Sequence, residues 1–366
     1  MEKKLKAALL GCGGMGMSHN LSLKALEEEM KVEVIAIADC RKEFLEKGAA
    51  IWPDARTYET GMELLEKEKP DFVHICLPSY LHTDHAVAAM AKGCHVFVEK
   101  PVCLTKEEGR RLLAAQKETG VKAMVGQVLR SFPEYRYLKK VYEDGSLGKL
   151  KSLVMQRISA RVDWGFENWF QEEEKSGGVV MDLHIHDLDF LRYMLGEPDS
   201  FEVKATAYET GMINHVAVAY EYGQAFVTAE AIWDESPSLE FAPSFRAGFE
   251  EGTVSFDGTK TPSLTLFRKE GGKEYPKLEG KELRDTSMGI NISDLGPYYL
   301  EIRYFIECLR ENREIGRAPL EEGVKSALLA REELEAARKY VDGKAGRGLH
   351  KKKERVEGMD DGRHCV

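Results

Sequence analysis

The sequence contains no hydrophobic run long enough to cross a membrane. A spanning helix needs about 20 consecutive apolar residues, and no stretch of the 366 residues reaches that length. Residues 1–11 pass from a few charges into a short apolar run and lack the long hydrophobic segment and cleavage site of a signal peptide. We therefore expect a cytoplasmic protein that binds no membrane.

Paired cysteines and an excess of positive charge are absent as well. The seven cysteines are odd in number, scattered and never arranged as Cys-x-x-Cys, so we expect reduced thiols. The formal net charge is −10 and the isoelectric point is about 5.6, so the overall field opposes nucleic acids and anionic surfaces. Small molecules are the expected partners.

The first third of the chain contains a regular alternation of strands and helices. Apolar segments predict five buried strands, at residues 4–13, 31–39, 71–78, 95–101 and 122–128. Helical segments separate them, and the best delimited one begins after Thr105 as N-cap and ends before Gly120. Continuous apolar strands that alternate with helices predict a parallel sheet covered on both faces.

The second half has a different pattern. Residues 149–162 predict a long strand, residues 164–175 an aromatic, acidic loop, and residues 179–195 a helix. Alternating strands follow at residues 200–209, 214–222, 224–233, 252–258 and 263–268. Short turns join them, which is typical of an antiparallel sheet. Two helices, at residues 298–312 and 319–341, complete the predicted pattern.

The sequence Gly-Cys-Gly-Gly-Met-Gly at residues 11–16 satisfies the pattern G-x-G-x-x-G. It follows a predicted strand and opens a predicted helix, and Asp39 ends the next strand, which is the context that a dinucleotide-binding fingerprint requires. Gly11 permits the tight turn, Gly13 lets the backbone approach a pyrophosphate, and Gly16 lets the helix pack against the strand. An incidental glycine turn is the alternative.

Asp39 indicates which dinucleotide this motif binds. A carboxylate at the end of the second strand accepts hydrogen bonds from the adenosine ribose and repels a 2′-phosphate. The sequence therefore favours NAD over NADP, and the nearby Arg41 limits that preference.

The tripeptide Glu99-Lys100-Pro101 lies at the carboxyl end of a predicted strand. Ligands of open α/β sheets bind at that edge, so Lys100 is expected beside the nicotinamide. A solvated lysine at a strand end is the alternative.

With these motifs the chain resembles the Gfo/Idh/MocA oxidoreductases, the group of glucose–fructose oxidoreductase and inositol dehydrogenase. The resemblance covers roughly residues 4–340 and is most specific in segments 126–150 and 176–198. It implies an α/β plus α+β fold. An N-terminal Rossmann dinucleotide-binding domain would be followed by a C-terminal domain with an open, mostly antiparallel β-sheet and helices on one face.

The corresponding domain limits are 1–128 for the NAD-binding domain and 129–342 for the substrate-binding and oligomerisation domain. The tail, 343–366, is charged, lacks an apolar period and is expected to be disordered. In the family the open face of the sheet commonly forms the oligomer interface. The resemblance therefore implies a homo-oligomer, whether dimer, tetramer or higher.

The stretch that begins at Gly177 matches the family pattern Gly-Gly-x-x-x-Asp-x-x-x-His through Gly177, Gly178, Asp182 and His186. In a helix Asp182 and His186 fall one turn apart on one face. A histidine is suited to removing a hydroxyl proton near neutral pH, and a neighbouring carboxylate can orient it. Lys100 can stabilise charge on the reacting oxygen. By resemblance, Lys100, Asp182 and His186 form the catalytic set.

A metal site is a competing interpretation of this stretch, and it would make the protein a metal-dependent hydrolase using Asp182, His184 and His186. In a helix, however, His184 and His186 point about 200° apart and cannot easily bind one ion. No other cluster of histidines or cysteines in the sequence supports a metal, so none is expected. His184 is expected either to line the pocket through hydrogen bonds or to contact the substrate.

The remaining site residues are predicted with less specific signals. The expected cofactor-binding residues are Gly11, Gly13, Gly14, Met15, Gly16, Asp39, Arg41, Leu77, Pro78, Ser79, His82, Glu99, Lys100 and Gln127. His82 is included because it resembles a family position near the nicotinamide ribose. The expected substrate-binding residues are Lys100, Arg130, Trp164, Trp169, Asp182, His184 and His186. Tryptophan rings suit the apolar faces of a sugar, and plain packing is their alternative, as structural roles are for Gln127 and Arg130.

These features predict an NAD-dependent oxidoreductase that acts on CH–OH groups. It would oxidise a secondary hydroxyl of a sugar, a cyclitol such as myo-inositol, or a glycoside, with C3 of a glycoside among the candidate positions. The hydride would go to C4 of the nicotinamide. Two alternatives stay open: a redox-neutral NAD-dependent glycoside hydrolase of the same family, and a non-catalytic protein that senses NAD(H).

Overall fold

A computed structural model describes residues 3–280, 283, 294–343 and 347–349. The chain divides into two units: Met1–Phe132 with Gly280–Val324, and Pro133–Glu279 with Lys325–Val366. Each unit is built on its own β-sheet. The prediction of one domain boundary after residue 128 did not include the return of the chain to the first unit at 280–324.

The first unit contains a six-stranded parallel sheet. The strand order is β3-β2-β1-β4-β5-β6. The strands are β1 Leu5–Leu10, β2 Val32–Ala38, β3 Arg56–Tyr58, β4 Phe72–Ile75, β5 His95–Glu99 and β6 Ala123–Gly126. The order reverses between β1 and β4, and open sheets bind their ligands at the carboxyl ends of strands at such a reversal. The predicted parallel sheet is confirmed.

Helices connect and cover these strands. They are α1 Gly14–Leu26, α2 Lys42–Ile51, α3 Gly61–Lys67, α4 His82–Ala91, α5 Lys106–Thr119 and α9 Gly296–Arg310. The predicted limits of α5 are confirmed, because the Thr105 side chain accepts the Glu108 N–H in a capping box and Gly120 has a left-handed φ of 67°. Strand β3 and helix α3 were not predicted, since such short elements carry little periodicity.

Helix α9 belongs to the first unit because its apolar face is buried in the core of that unit. Ile302, Phe305 and Ile306 are fully buried and share one core cluster with Leu9 and Leu23. Sequence position alone had assigned this helix to the second domain. Burial of its apolar face in the core of the first unit is the physical reason for the difference.

The second unit contains a nine-stranded sheet with the order β14-β13-β12-β11-β7-β10-β9-β8-β15. The strands are β7 Leu150–Ala160, β8 Ser200–Ala207, β9 Ile213–Tyr222, β10 Ala225–Asp234, β11 Ala242–Phe249, β12 Gly252–Asp257, β13 Leu264–Arg268, β14 Lys273–Glu274 and β15 Arg347–Leu349. Strands β7 and β10 are parallel, and the other neighbours are antiparallel. The mostly antiparallel sheet is therefore confirmed.

Strand β11 was missed by the sequence prediction. Its sequence, Ala-Pro-Ser-Phe-Arg-Ala-Gly-Phe, mixes proline, arginine and glycine and lacks a clear apolar alternation. It nevertheless pairs with β7 on one side and β12 on the other. Long-range pairing therefore defines this strand, whereas its local sequence does not.

One face of the second sheet is buried and the other is partly open. Along β10, Val227, Ala229, Ala231 and Trp233 are buried, whereas Phe226 on the opposite face is 61% exposed.

The helices of this unit are α6 Pro133–Asp144, α7 Glu173–Ser176, α8 Ile185–Leu195 and the greater part of α10 Leu320–Val341. None of the described helices combines the length and apolar character that crossing a membrane requires.

Most of the tail predicted to be disordered, 343–366, lies outside the described residues. Within it, Arg347–Leu349 forms β15 and pairs with β8. The prediction differs from the structure at these three residues because pairing at a sheet edge uses backbone groups and needs no apolar period.

Candidate active site

The glycine motif forms the turn between β1 and α1 in the first unit. Gly11 has a φ of +92°, and a Cβ atom there would lie 2.4 Å from the Cys76 carbonyl oxygen. A Cβ on Gly16 would lie 1.9 Å from the Gly11 carbonyl oxygen. Only glycine fits at these two positions, so the start of α1 approaches the end of β1 closely. Gly13, Gly14 and Met15 are partly exposed at this helix start.

Asp39 lies beside this turn and is 6% exposed. Its carboxylate accepts the Cys12 backbone N–H at 2.8 Å and the Arg41 backbone N–H at 2.9 Å. The Arg41 guanidinium also donates to both carboxylate oxygens, at 3.1 and 3.2 Å. The structure thus places both predicted ribose-site residues together, with the positive charge of Arg41 against Asp39.

The segment after β4 carries three further predicted cofactor residues and His82. Leu77 and Pro78 are partly exposed, whereas Ser79 is buried. The two ring nitrogens of His82 lie 2.7 Å from the Leu77 carbonyl oxygen and 2.8 Å from that of Pro101. Burial lowers the pKa of His82, and these two carbonyl contacts oppose that shift. His82 therefore ties this segment to the end of β5.

Glu99 and Lys100 close β5 at the same edge of the sheet. Glu99 is 5% exposed, and its carboxylate accepts the Lys100 backbone N–H at 3.3 Å. Lys100 is partly exposed and precedes a cis peptide bond to Pro101. The acid of this tripeptide is therefore buried, while the lysine reaches the surface of the unit.

Gln127 and Arg130 follow β6 and have different surroundings. Gln127 is 3% exposed, and neither atom of its side-chain amide has a hydrogen-bond partner among the described residues. Arg130 is equally buried, but its guanidinium donates to the Arg317 carbonyl oxygen. Gln127 thus presents unused polar groups at the sheet edge, whereas Arg130 has a structural contact.

These features fit a dinucleotide. The glycine turn brings the start of α1 against the end of β1, and this partly exposed helix start offers backbone N–H groups to a pyrophosphate. Asp39 supplies carboxylate oxygens at the end of β2. The buried side-chain amide of Gln127 has no hydrogen-bond partner within the described part of the chain, as expected of a group that awaits a polar ligand.

The predicted catalytic pair lies in the second unit, on a helix with an irregular first turn. Gly177 and Gly178 have φ values of +73° and +59° before it. Val180–His184 forms a π-helical turn that continues into α8, and Gly196 follows the last residue of α8. The predicted helix is confirmed.

Asp182 and His186 are the two partly exposed residues of the stretch from Ser176 to Arg192. Every other residue from Ser176 to Arg192 is buried. The spacing of four places the two side chains on one face, as the sequence predicted. This stretch therefore presents a carboxylate and an imidazole together, whereas its other polar side chains are buried.

His184, which the sequence predicted either to line the pocket or to contact the substrate, is fully buried. Its Nε2 lies 3.0 Å from the Tyr220 hydroxyl oxygen and 3.1 Å from a Glu333 carboxylate oxygen. Burial raises the pKa of Tyr220 well above its ordinary value, and Glu333 adds to the rise. His184 belongs to a polar network in the core because the helical repeat turns it away from Asp182 and His186.

Asp187 and Asp189 are buried too. Asp187 forms an ion pair with Arg157 at 2.9 Å, and the same guanidinium donates to the Tyr135 hydroxyl at 2.9 Å. Asp189 accepts the Ser326 hydroxyl at 2.7 Å. Both carboxylates therefore serve the interior of this unit.

The aromatic segment before this helix is compact. The described loop contains a 3-10 turn, Phe166–Gln171, followed by α7. Trp169 stacks on Phe170 with ring centroids 3.8 Å apart, whereas Trp164 is 53% exposed. Trp169 thus takes part in packing, and Trp164 offers a ring to solvent.

Sequence reasoning missed a group of buried polar side chains that come together inside the first unit. One ligand atom each of His19, Glu99 and Glu301 lies within 4.8 Å of the other two. Among the described residues it is the group spaced as metal ligands would be. The available signal was a histidine and a glutamate inside the apolar periods of α1 and α9, but their sequence separation hid their proximity.

Comparisons with known proteins agree with this architecture. A family model described as "Oxidoreductase family, NAD-binding Rossmann fold" matches residues 5–127, and "GFO/IDH/MocA C-terminal domain" matches residues 135–255. The two models together cover more than half of the chain.

Three known proteins that the chain resembles are 20–29% identical to it. The chain is 29% identical to 2,7-anhydro-N-acetylneuraminate hydratase of Mediterraneibacter gnavus over 266 residues, covering 70% of this chain and 66% of the relative, just under two thirds of its length. It is 26% identical to scyllo-inositol 2-dehydrogenase (NAD(+)) of Bacillus subtilis over 327 residues, covering 86% and 88%. The solved structure of levoglucosan dehydrogenase in complex with NADH and levoglucosan has a TM-score of 0.76 at 20% identity, covering 92% and 98%. The chain belongs to the Gfo/Idh/MocA family of oxidoreductases and carries its NAD-binding Rossmann fold.

Proposed function

We propose that the protein is an NAD-dependent dehydrogenase that oxidises a secondary hydroxyl of a sugar, cyclitol or glycoside to a ketone. The observation that carries the proposal is the accessible pair Asp182 and His186 on a helix whose other residues from Ser176 to Arg192 are buried. An imidazole with a carboxylate one turn away is suited to removing the proton of an alcohol. The unit that carries the dinucleotide fingerprint supplies the redox partner.

In this proposal each catalytic residue has one role. His186 accepts the hydroxyl proton, Asp182 orients the imidazole and stabilises its charged form, and Lys100 donates a hydrogen bond to the reacting oxygen. Bound NAD supplies the hydride acceptor at C4 of the nicotinamide.

The cofactor site supports NAD in preference to NADP. Asp39 places a carboxylate where a 2′-phosphate would meet negative charge. Arg41 partly neutralises that carboxylate through the two side-chain contacts at 3.1 and 3.2 Å. We therefore propose tighter binding of NAD, with a moderate rather than absolute discrimination.

The substrate contacts are proposed with different support. Trp164 has an exposed ring that suits the apolar face of a sugar. Trp169 and Arg130 are engaged in packing and in a contact to the Arg317 carbonyl, which favours supporting roles for both. The burial of His184 likewise favours a supporting role.

A redox-neutral reaction is the second candidate, and similarity to a hydratase favours it. A transient ketone acidifies the neighbouring C–H bond, so a base can remove that proton and a group on the next carbon can leave. Return of the hydride would then regenerate NAD and give no net oxidation. The same residues Lys100, Asp182 and His186 would serve this route.

We also propose that the protein forms a homo-oligomer in the cytoplasm. The second sheet has a partly open face, and Phe226 on it is 61% exposed. Sheet faces of this kind are commonly covered by another copy of the same chain. Size-exclusion chromatography with light scattering should give a dimer or a larger assembly, and Phe226→Glu should weaken it.

The test of function is an assay with purified protein, NAD⁺ or NADP⁺, and a panel of inositols, hexoses and aryl glycosides. Absorbance of the reduced nicotinamide and product masses are followed together. Loss of two mass units with stoichiometric NADH is the expected result. Release of an aglycone or of water without NADH would favour the redox-neutral reaction, and tight NAD binding with no turnover of alcohols or of 3-oxo sugars would contradict both.

A further inference from the structure

Four polar side chains form a buried cluster inside the first unit. His19 lies on α1, His74 on β4, Glu99 at the end of β5 and Glu301 on α9, and none is more than 5% exposed. We call these four residues the carboxyl cluster. It joins the helix that follows the glycine turn to the strand end that carries Lys100.

Hydrogen bonds within the carboxyl cluster define where its protons lie. His19 Nε2 is 2.9 Å from Glu99 Oε1, and His19 Nδ1 is 2.8 Å from His74 Nδ1. If Glu99 is charged, His19 donates to it through Nε2 and accepts from His74 through Nδ1. His74 Nε2 is then a bare acceptor, which agrees with its having no partner among the described residues.

Glu301 is the member of the cluster without a donor. It is 1% exposed, and neither carboxyl oxygen has a hydrogen-bond partner among the described residues. One of its oxygens lies within 4.8 Å of the Glu99 carboxylate. Burial raises the pKa of Glu301 well above its ordinary value, Glu99 adds to the rise and Arg317 opposes it. Two buried carboxyl groups this close repel each other when both are ionised, which favours a proton on one of them.

We propose that Glu99 and Glu301 hold one proton between them, so that the carboxyl cluster carries a single negative charge, and that this charge positions and polarises the nicotinamide end of the cofactor site. The proposal rests on the proposed NAD-dependent function. Glu99 and Glu301 are positioning residues in it, because they act through the strand end and its charge.

A bound divalent cation is the rival explanation for an unpartnered buried carboxyl. An ion on His19 Nε2 would force the other tautomer, with Nδ1–H donating to His74 Nδ1. His74 Nε2 would then carry a proton for which the described part of the chain offers no acceptor, and the ring itself stacks on Phe97 with centroids 4.9 Å apart. A proton on Glu301 has the Glu99 carboxylate within 4.8 Å, whereas a proton on His74 Nε2 has no acceptor among the described residues, and this difference favours the shared proton.

The groups around the cluster are consistent with one negative charge. Arg317 faces Glu301 electrostatically and also donates to the Ser131 hydroxyl at 3.3 Å. The thiol of Cys76 faces Glu99, Glu301 and Cys12, and burial raises its pKa well above its ordinary value, so it stays neutral. On the other side, Glu99 accepts the Lys100 N–H. The single negative charge therefore lies next to Lys100, the residue expected beside the nicotinamide.

The charge has a consequence for the cofactor. The nicotinamide ring is positively charged in NAD⁺ and neutral in NADH, so a nearby negative charge favours the oxidised form. A single substitution, Glu99→Gln or Glu301→Gln, leaves one carboxyl free to carry the charge. The double variant removes it. The structure thus predicts strongly non-additive effects on the ratio of the two dissociation constants.

The first experiment tests the shared proton without substrate. The folded protein keeps a proton that the unfolded chain loses above the ordinary pKa of glutamate, so the contribution of this proton to the unfolding free energy should fall as pH rises through neutrality. The unfolding free energy of Glu301→Gln relative to that of the wild type should therefore rise with pH by the equivalent of one proton, and an infrared C=O band of a protonated carboxyl near neutral pH should disappear in the variant. Glu307→Gln, a partly exposed glutamate on α9 paired with Arg303, is the matched control and should keep both signals.

An unchanged pH dependence and infrared band in Glu301→Gln would overturn the proposal. Stoichiometric bound metal in the wild type that Glu301→Gln loses would overturn it in favour of the ion. These readouts need no turnover, so they separate failure of this proposal from failure of the proposed dehydrogenase.

The second experiment measures the dissociation constants of NAD⁺ and NADH for the wild type, both single variants and the double variant. The double variant should weaken NAD⁺ relative to NADH by roughly 3- to 30-fold, and each single variant by less than about threefold. Additive effects of the single variants, or an unchanged ratio in the double variant, would overturn the role of the charge. If the double variant fails to fold, the pH dependence of Glu301→Gln still decides the shared proton.

Discussion

Two aspartate–histidine pairs on one helix have opposite environments. Asp182 and His186 form one pair, and His184 and Asp187 form the other. The first pair is partly exposed, and the second is fully buried among Tyr220, Glu333 and Arg157. A step of two residues rotates a helical side chain by about 200°. Chemical type therefore does not decide which histidine or aspartate is available for catalysis, and position on the helix does.

The comparison predicts different consequences for the two pairs. Substitutions of the exposed pair should change turnover and leave the fold stable. Substitutions of the buried pair should change stability, and the molecules that remain folded should keep their chemistry. Activity per folded molecule and unfolding free energy therefore have to be measured together.

The largest effect is expected for His186→Gln. Loss of a general base should lower kcat by roughly 10²- to 10⁴-fold, because the amide cannot accept the alcohol proton. The dissociation constant for NAD and the midpoint of thermal unfolding should stay close to the wild-type values. A kcat within twofold of the wild type would show that the proton goes elsewhere.

A comparably large effect, but on stability, is expected for Asp187→Ala. Removal of one partner of a buried ion pair should lower the unfolding free energy by about 3–5 kcal/mol, since it leaves the Arg157 charge unpaired in the core. Urea unfolding followed by circular dichroism measures the change. Asp182→Ala is the matched control and should cost less than about 1 kcal/mol, so equal losses would end the distinction between the two pairs.

A smaller effect on turnover is expected for Asp182→Asn. The base remains but is less well oriented, and a misplacement of about 1 Å can cost 10²-fold in rate. We expect kcat to fall by about 10²-fold, less than in His186→Gln, with unchanged NAD binding. The kinetics of both variants and of their combination check this, because residues that act as a unit should give a combined loss below the product of the single losses.

The smallest effect is expected for Trp164→Ala. Its exposed ring packs edge-on against Phe170 with centroids 5.3 Å apart, and its stacking on the sugar would add about 1 kcal/mol, so KM should rise a few-fold with little change in kcat. Trp169→Ala should instead lower stability through the lost stacking on Phe170. A larger fall in kcat for Trp164→Ala than for Asp182→Asn would move the chemistry away from the helix.

Much of the fold was predictable where local signals are strong. The Gly11–Gly16 turn, the acid at Asp39 and the Thr105 and Gly120 caps all act over a few residues, and the structure agrees with each. The helix with Asp182 and His186 on one face was predictable for the same reason. Strand β11 and the membership of α9 were not, because partners far away in the sequence decide both.

The candidate site divides in the same way. The sequence could offer His184 as a pocket residue, because the stretch His-Ile-His gives no sign of which ring faces inward until the helix packs. It could not offer Glu301 at all, since a glutamate among the apolar residues of α9 becomes notable only beside Glu99. Burial and interatomic distances exist only after folding. They distinguish the residues that support the structure from those that are available for chemistry.

By itself the sequence determined the residue types, the spacing of four between Asp182 and His186, and the glycine turn that precedes α1, because these depend on local backbone geometry. Tertiary structure alone decided that His184 and Asp187 are internal and that α1, β4, β5 and α9 bring two histidines and two glutamates together. The physical reason is that desolvation and charge proximity arise from long-range packing. A chain can encode them without displaying them in any short segment.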